Sequence, residues 1–331
     1  MTSPPSTEVF SSPRLAGFWQ FTSDGAPYVG VFETDADGGD GKLSAGRIRD
    51  GRLEELRAFA SAGPEVRGIE ACASGPDMLF ALELNRDVPA GIARLALSAV
   101  TDSSRTSLTL EASSDLRLSP AQIAAVRLPV TEHWNVPGPL RPEQWVFSSR
   151  PVCGSPKDEL IANTADGQAA ILATDDSQGS GPLIPEAAQP QAWRRSGQLT
   201  VAFMRFTEPY RPFWSLSRYS GRGQSKSGSL FVVDRDRPID LSTTLAVGSV
   251  SALALVVGAD GADWLFASRS GQPTELYGIT RGNGSWELAQ KWSIDCPADR
   301  ISVEKVGQGW QVVAAAKTPD GWTLRQVLLQ R

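Results

Sequence analysis

Short apolar or alternating runs, separated by turn-forming pairs, recur along the whole chain. Residues 18–22, 28–32, 78–84, 199–203, 230–233, 253–257, 264–267 and 310–316 are such runs, rich in Val, Leu, Phe, Tyr or Trp. Runs of about 4–8 residues with this composition predict strands. Between runs lie Asp24-Gly25, Asp166-Gly167, Asp260-Gly261, Asn283-Gly284 and Asp320-Gly321. Such pairs supply the positive φ that two-residue hairpin loops need. Tight loops join strands antiparallel, so the pattern predicts an all-β chain of hairpins and not βαβ units.

The hairpins come in groups. Between residues 251 and 294 the pattern predicts strands at 252–257, 263–268, 275–280 and 286–292. Four antiparallel strands in roughly 45 residues make one blade of a β-propeller. Similar units begin near Gly17, Gly68, Gly197 and Ile301. The chain therefore resembles β-propellers at the level of fold, over most of its length. No family signature accompanies that resemblance, since the Gly-His and Trp-Asp dipeptides of WD40 blades do not recur. Thr318-Pro319-Asp320-Gly321-Trp322-Thr323 is similar to the Asp-box of sialidases, but its Asp and Gly are adjacent, as in a hairpin turn.

The last unit has room for strands only at 301–306, 311–316 and 323–329, so a fourth must come from elsewhere. Residues 8–13 suit that role, closing the ring and removing an open sheet edge. The expectation is one domain over residues 1–331, with 1–14 as a closing arm and 117–143 as an irregular inserted connection. Six four-stranded blades are expected, with seven blades or paired β-sandwiches as rivals. Region 107–196 is less regular and holds one long blade or two short ones. Ser119-Pro120-Ala121-Gln122 carries the N-cap, N1 and N3 residues of a short helix. Residues 53–60 contain helix formers but sit where the outer strand of the first blade belongs.

Composition narrows the function. The net charge is −5, with no run of Lys or Arg, so no nucleic-acid partner is expected. No window of about 18 apolar residues predicts a membrane span, and the N-terminus has no signal-peptide pattern. Cys72, Cys153 and Cys296 are sparse and odd in number, which fits reduced thiols and a cytoplasmic setting. A monomer is expected.

Three stretches offer chemistry. The single histidine, His133, stands in Thr131-Glu132-His133-Trp134-Asn135-Val136-Pro137, within a Pro-rich connection that continues to Trp145. A carboxylate, an imidazole and flat indoles side by side suit recognition of a sugar or small aromatic. Glu132, His133, Trp134 and Trp145 are accordingly the candidate ligand-binding residues. Glu33, Asp35, Asp37 and Asp40 resemble the calcium loops of integrin-type propellers. The closing acid comes one residue early and the motif occurs once, so a solvated turn and no cofactor are expected. Pro209-Tyr210-Arg211-Pro212-Phe213-Trp214, with Arg218, Tyr219, Arg222 and Lys226, interleaves cations and aromatics. Trp19, Trp264, Trp286, Trp310 and Trp322 fall in or beside strands and are read as core.

No nucleophile motif accompanies His133. The expectation is thus a non-catalytic propeller that binds or scaffolds a protein partner. The alternative is a small-ligand or glycan-binding propeller, or a propeller enzyme (hydrolase, lyase or cyclase) with a central-channel pocket.

Overall fold

The alternating runs form strands in the computed structural model, which describes residues 4–35, 41–49, 52–63, 66–74, 76–84, 91–102, 108–110, 127–128, 146–151, 158–163, 169–174, 187–195, 198–205, 227–234, 237–257, 262–282 and 284–330. After β1 (Ser6–Ser12), the first meander is β2 (Leu15–Ser23), β3 (Ala26–Glu33), β4 (Gly41–Arg49) and β5 (Arg52–Ala62). Its first turn is Asp24-Gly25, with φ of 50° and 72°, the two positive values that a type I′ loop requires. Residues 53–60, whose sequence leaves helix and outer strand both open, lie in β5. The second meander is β6 (Val66–Ser74), β7 (Asp77–Leu84) and β8 (Gly91–Ala96), followed by the short helix α1 (Leu97–Thr101).

The middle of the chain gives β9 (Leu108–Leu110), β10 (Arg127–Leu128), β11 (Val146–Pro151), β12 (Asp158–Asn163) and β13 (Ala169–Thr174). Next come β14 (Ala187–Arg195), β15 (Gln198–Arg205), β16 (Ser229–Asp234), β17 (Arg237–Asp240) and helix α2 (Leu241–Thr244). The Asp240 side chain caps α2 by accepting from the Thr243 N–H at 3.1 Å. The last two meanders are β18 (Ala252–Val257), β19 (Asp263–Arg269), β20 (Thr274–Gly282) and β21 (Ser285–Ile294), then β22 (Arg300–Val306), β23 (Gly309–Thr318) and β24 (Gly321–Leu329).

These strands make six sheets. β1 pairs with β24, from Ser6 opposite Val327 to Ser12 opposite Trp322, so the N-terminus completes the last sheet. The innermost strands pack in succession: β6 against β2, β2 against β22, β22 against β18, β18 against β14 and β14 against β11. This is a β-propeller closed through its N-terminal strand.

Two details differ from six uniform four-stranded blades. Among the described residues, two sheets have five strands and two have three. β9 leaves the second meander and adds to β5 in parallel, a connection that no hairpin signal announces. β10 pairs with β14 on the inner side and touches β6 and β18, the innermost strands of two other blades. It therefore lies inside the ring. The inserted connection expected at 117–143 includes this strand; its remaining residues, with the helix expected at Ser119, lie outside the described ones.

Aromatic residues bracket the blades. Trp19 of β2 meets Phe80 of β7 edge to face at 5.6 Å, joining the first and second blades. Trp264 of β19 and Trp310 of β23, with centroids 5.1 Å apart, join the fifth and sixth. Each such side chain removes about 150–250 Å² from water. Trp19, Trp264, Trp286, Trp310 and Trp322 are all buried, as their strand positions predict. Gly30 stands opposite Trp19 because the indole lies flat over it, and a Cβ there would overlap the ring.

Candidate functional site

Strand direction sorts the loops onto two faces. Ser251 and Ser268 both hydrogen-bond the Ala298 carbonyl at 3.2 Å, so β18 and β22 begin together. Gly228 and Val250 form a bridge, which puts the start of β16, and hence of β14, on that same side. Gly17 lies beside Ile69 and aligns β2 with β6. The face where these innermost strands begin is termed the upper face. In a meander it collects the connections between blades and those between second and third strands.

The strand ends next to all three chemically distinctive stretches meet this face. β3 ends there at Glu33 and β4 starts at Gly41, on either side of the acidic stretch. β15 ends there at Arg205 and β16 starts at Ser229, on either side of the Arg-aromatic stretch. β10 runs antiparallel to β14 and so toward the upper face, and β11 begins on it at Val146. Glu132, His133, Trp134 and Trp145 fall between β10 and β11, outside the described residues. The Trp193 backbone is in β14, opposite Arg127. Trp214 lies outside the described residues.

Described side chains on the upper face are held by specific partners. Ser12 donates to Glu33 Oε1 at 2.6 Å, and the Arg14 guanidinium meets Asp35 at 2.9 Å. Two of the four acids in the calcium-like stretch are therefore engaged by the preceding β1–β2 turn. The other two, Asp37 and Asp40, lie outside the described residues. Buried Asp299 accepts from the Lys317 N–H at 3.2 Å, tying the β21–β22 connection to the end of β23.

A tighter cluster lies on the fifth blade. Lys291 sits 2.6 Å from Glu275 Oε1. Tyr277 donates to Glu275 Oε2 at 2.5 Å, and Arg269 pairs with the same oxygen. Both cations also lie over the Tyr277 ring, at 5.8 Å for Arg269 and 5.5 Å for Lys291. The Lys291 hydrogen bond, followed by that from Tyr277, holds the Glu275 carboxyl below its ordinary value. Burial, then the adjacent carboxylate, pushes the Tyr277 phenol up to about 12. A carboxylate saturated with donors stays ionised and is a poor proton donor, so Glu275 anchors the blade rather than acting as a general acid. Sequence reading missed this cluster, whose signal is cross-strand: Arg269 stands opposite Glu275, and Tyr277 opposite Lys291.

Cys296 is a buried free thiol whose pKa burial raises, the environment of an unreactive cysteine. Among the described residues no three His, Cys, Asp or Glu side chains gather as metal ligands, and no helix is long and apolar enough to cross a membrane.

No protein-family model matches the sequence, and no curated protein matches it. Solved structures resemble it in fold. A β-xylosidase aligns at 10% identity and TM-score 0.43, over 98% of this chain and 95% of its own. A GH43_1 enzyme from Xanthomonas citri aligns at 10% identity and TM-score 0.44, over 98% and 90%. A sialidase from Trypanosoma rangeli, solved with the inhibitor DANA, aligns at 9% identity and TM-score 0.46, over 99% of this chain and 60% of its own.

These comparisons correct one expectation. The expected non-catalytic protein-binding scaffold is withdrawn: the structures similar in fold are named as a β-xylosidase, a GH43_1 enzyme and a sialidase, and none of the three as a scaffold. The scaffold reading leaned on a missing nucleophile motif. Glycosidases instead use carboxylates paired about 5–10 Å apart in space, which leave no local motif.

Proposed function

We propose that this propeller binds a glycan, or a small polyhydroxyl ligand like one, at the axial part of its upper face, and acts on it there. The observation that carries this reading is the position of β10 inside the ring, pointing toward the face on which β11 begins. His133 follows Leu128 by only five residues, a span of at most about 18 Å of extended chain. That short separation from β10 is what supports counting Glu132, His133 and Trp134 among the residues of the proposed site. Trp134 and Trp145 offer flat apolar faces for sugar rings. His133 and Glu132 offer groups that exchange protons with hydroxyls.

The test is a panel of soluble oligosaccharides, read both by calorimetric binding and by release of reducing ends. Wild-type protein is expected to bind at least one class. Trp134→Ala should weaken that binding by about 1–3 kcal/mol, on the scale for an aromatic ring stacked on a flat ligand. His133→Ala should change the pH dependence of binding or turnover between about 5 and 8. Failure of the whole panel, or full function in both variants, overturns the reading.

A further inference from the structure

The opposite, lower face carries a recess that the proposed glycan site does not use. It lies beside the β4–β5 hairpin and has a volume of about 100 Å³. Tyr28 of β3, Arg47 of β4, and Glu55 and Arg57 of β5 line it, and the end of α1 closes it with Thr101 and Asp102. Tyr28 is fixed by stacking on Phe21, with centroids 5.2 Å apart, and the Arg47 guanidinium lies over the Tyr28 ring, 5.7 Å from its centroid.

Two features set the recess apart from an ordinary charged surface. Glu55 has φ of +55°, a left-handed conformation that residues with a Cβ seldom adopt. It occurs at a bulge: Ala45 pairs with Arg57 and Arg47 with Glu54, so Gly46 alone faces Glu55 and Leu56. Bulges of this kind re-aim side chains and gather near functional sites. Glycine would satisfy the backbone at this position without strain, yet the chain carries a carboxylate that lines the recess. Moreover, neither Glu55 nor Arg57 has a hydrogen-bond or ion-pair partner among the described residues.

The lining therefore presents the guanidiniums of Arg47 and Arg57 and the carboxylate of Glu55 around an aromatic ring. A simple anion would meet repulsion from Glu55, and a simple cation would meet it from Arg47 and Arg57. A zwitterion can set each charge against its opposite. We infer that the recess binds the charged head of a free α-amino acid: its carboxylate to Arg47 and Arg57, its ammonium to Glu55. The volume matches about three waters at liquid density, which admits that head and leaves a larger side chain outside.

The experiment is thermal denaturation and calorimetry of the full chain with the free L-amino acids. Each is compared with its N-acetyl and carboxamide derivatives at concentrations up to about 10 mM, where mass action makes weak binding visible as a higher Tm. At least one free amino acid should raise Tm with concentration, while both derivatives fail. Arg57→Gln should lower its affinity by about tenfold, the loss of one charge-assisted contact worth about 1.4 kcal/mol. Glu55→Gly keeps the backbone conformation and should also lose the ligand, while leaving the free protein's Tm unchanged or higher. Trp134→Ala should leave the response intact, separating this site from the proposed glycan site. The inference is overturned if no free amino acid shifts Tm, if the single-charge derivatives bind equally well, or if both recess variants respond as wild type does.

Discussion

Gln20 on the innermost strand of the first blade and Gln311 on the second strand of the last blade are hydrogen-bonded across the seam of the ring. Gln311 Nε2 donates to Gln20 Oε1 at 2.8 Å, and Gln20 Nε2 reaches the Gln311 carbonyl at 3.3 Å and that of Ser302 at 2.5 Å. Gln326 continues the ladder by donating to Gln311 Oε1 at 3.0 Å. Both central glutamines are 2% exposed, so water cannot replace a missing partner. Gln311→Leu would strand the Gln20 acceptor and the Gln326 donor. Each buried unsatisfied group costs about 1–3 kcal/mol, so with two groups stranded denaturant titration should show a loss of about 2–6 kcal/mol. Wild-type stability in the variant would mean that the ladder does not hold the seam.

The same seam depends on β1. Deleting residues 1–14 removes the strand paired with β24 and the contacts of half-buried Val9 and Phe10 with the core. It also bares the β24 edge, a template for pairing with another chain. The truncated protein should melt at lower temperature and aggregate at concentrations where the full chain does not. An unchanged Tm would refute closure by this strand.

The Glu275 cluster should make the fifth blade acid-sensitive. Its carboxyl titrates below the ordinary value when folded, so the unfolded chain takes up its proton first as pH falls. The resulting stabilisation is complete above the unfolded carboxyl's pKa of about 4.3 and is lost as pH drops through the folded value. Glu275→Gln should therefore be less stable than wild type at neutral pH, with the gap narrowing toward about pH 3. Unfolding free energies measured across that range check this, and a gap independent of pH would contradict it. Tyr277 adds a second sign: with its phenol raised to about 12, its absorbance should titrate above that of an unfolded tyrosine.

What was legible in the sequence is what local chemistry determines. Residues 252–294 alternate cleanly between paired turns and yielded all four strands, from β18 to β21. The three-stranded remainder after residue 300 pointed to the N-terminus for its missing strand, because an open edge must be paired. Chain-distant pairings were not legible. β9 joins β5 in parallel across the whole second meander, and β10 enters the ring, without any turn or period to mark them. The Gln20–Gln311 ladder spans 291 positions, and isolated glutamines within apolar strands carry no sign of one another. Glu275 was invisible as a site because its partners arrive through strand register. Even the Asp320-Gly321 turn shifted by one residue: its loop is Pro319-Asp320, and Gly321 at φ +129° opens β24 where Pro13 crowds it.

Hydrogen–deuterium exchange with and without the best-bound oligosaccharide tests the central claim most directly, because it reports which face the ligand covers. Protection should appear in peptides spanning residues 129–145 and in those bordering Arg205 and Ser229. The lower-face turns at Asp24-Gly25 and Gly307-Gln308 should exchange unchanged. Protection confined to those lower turns, or none on the segment between β10 and β11, would contradict an upper-face glycan site.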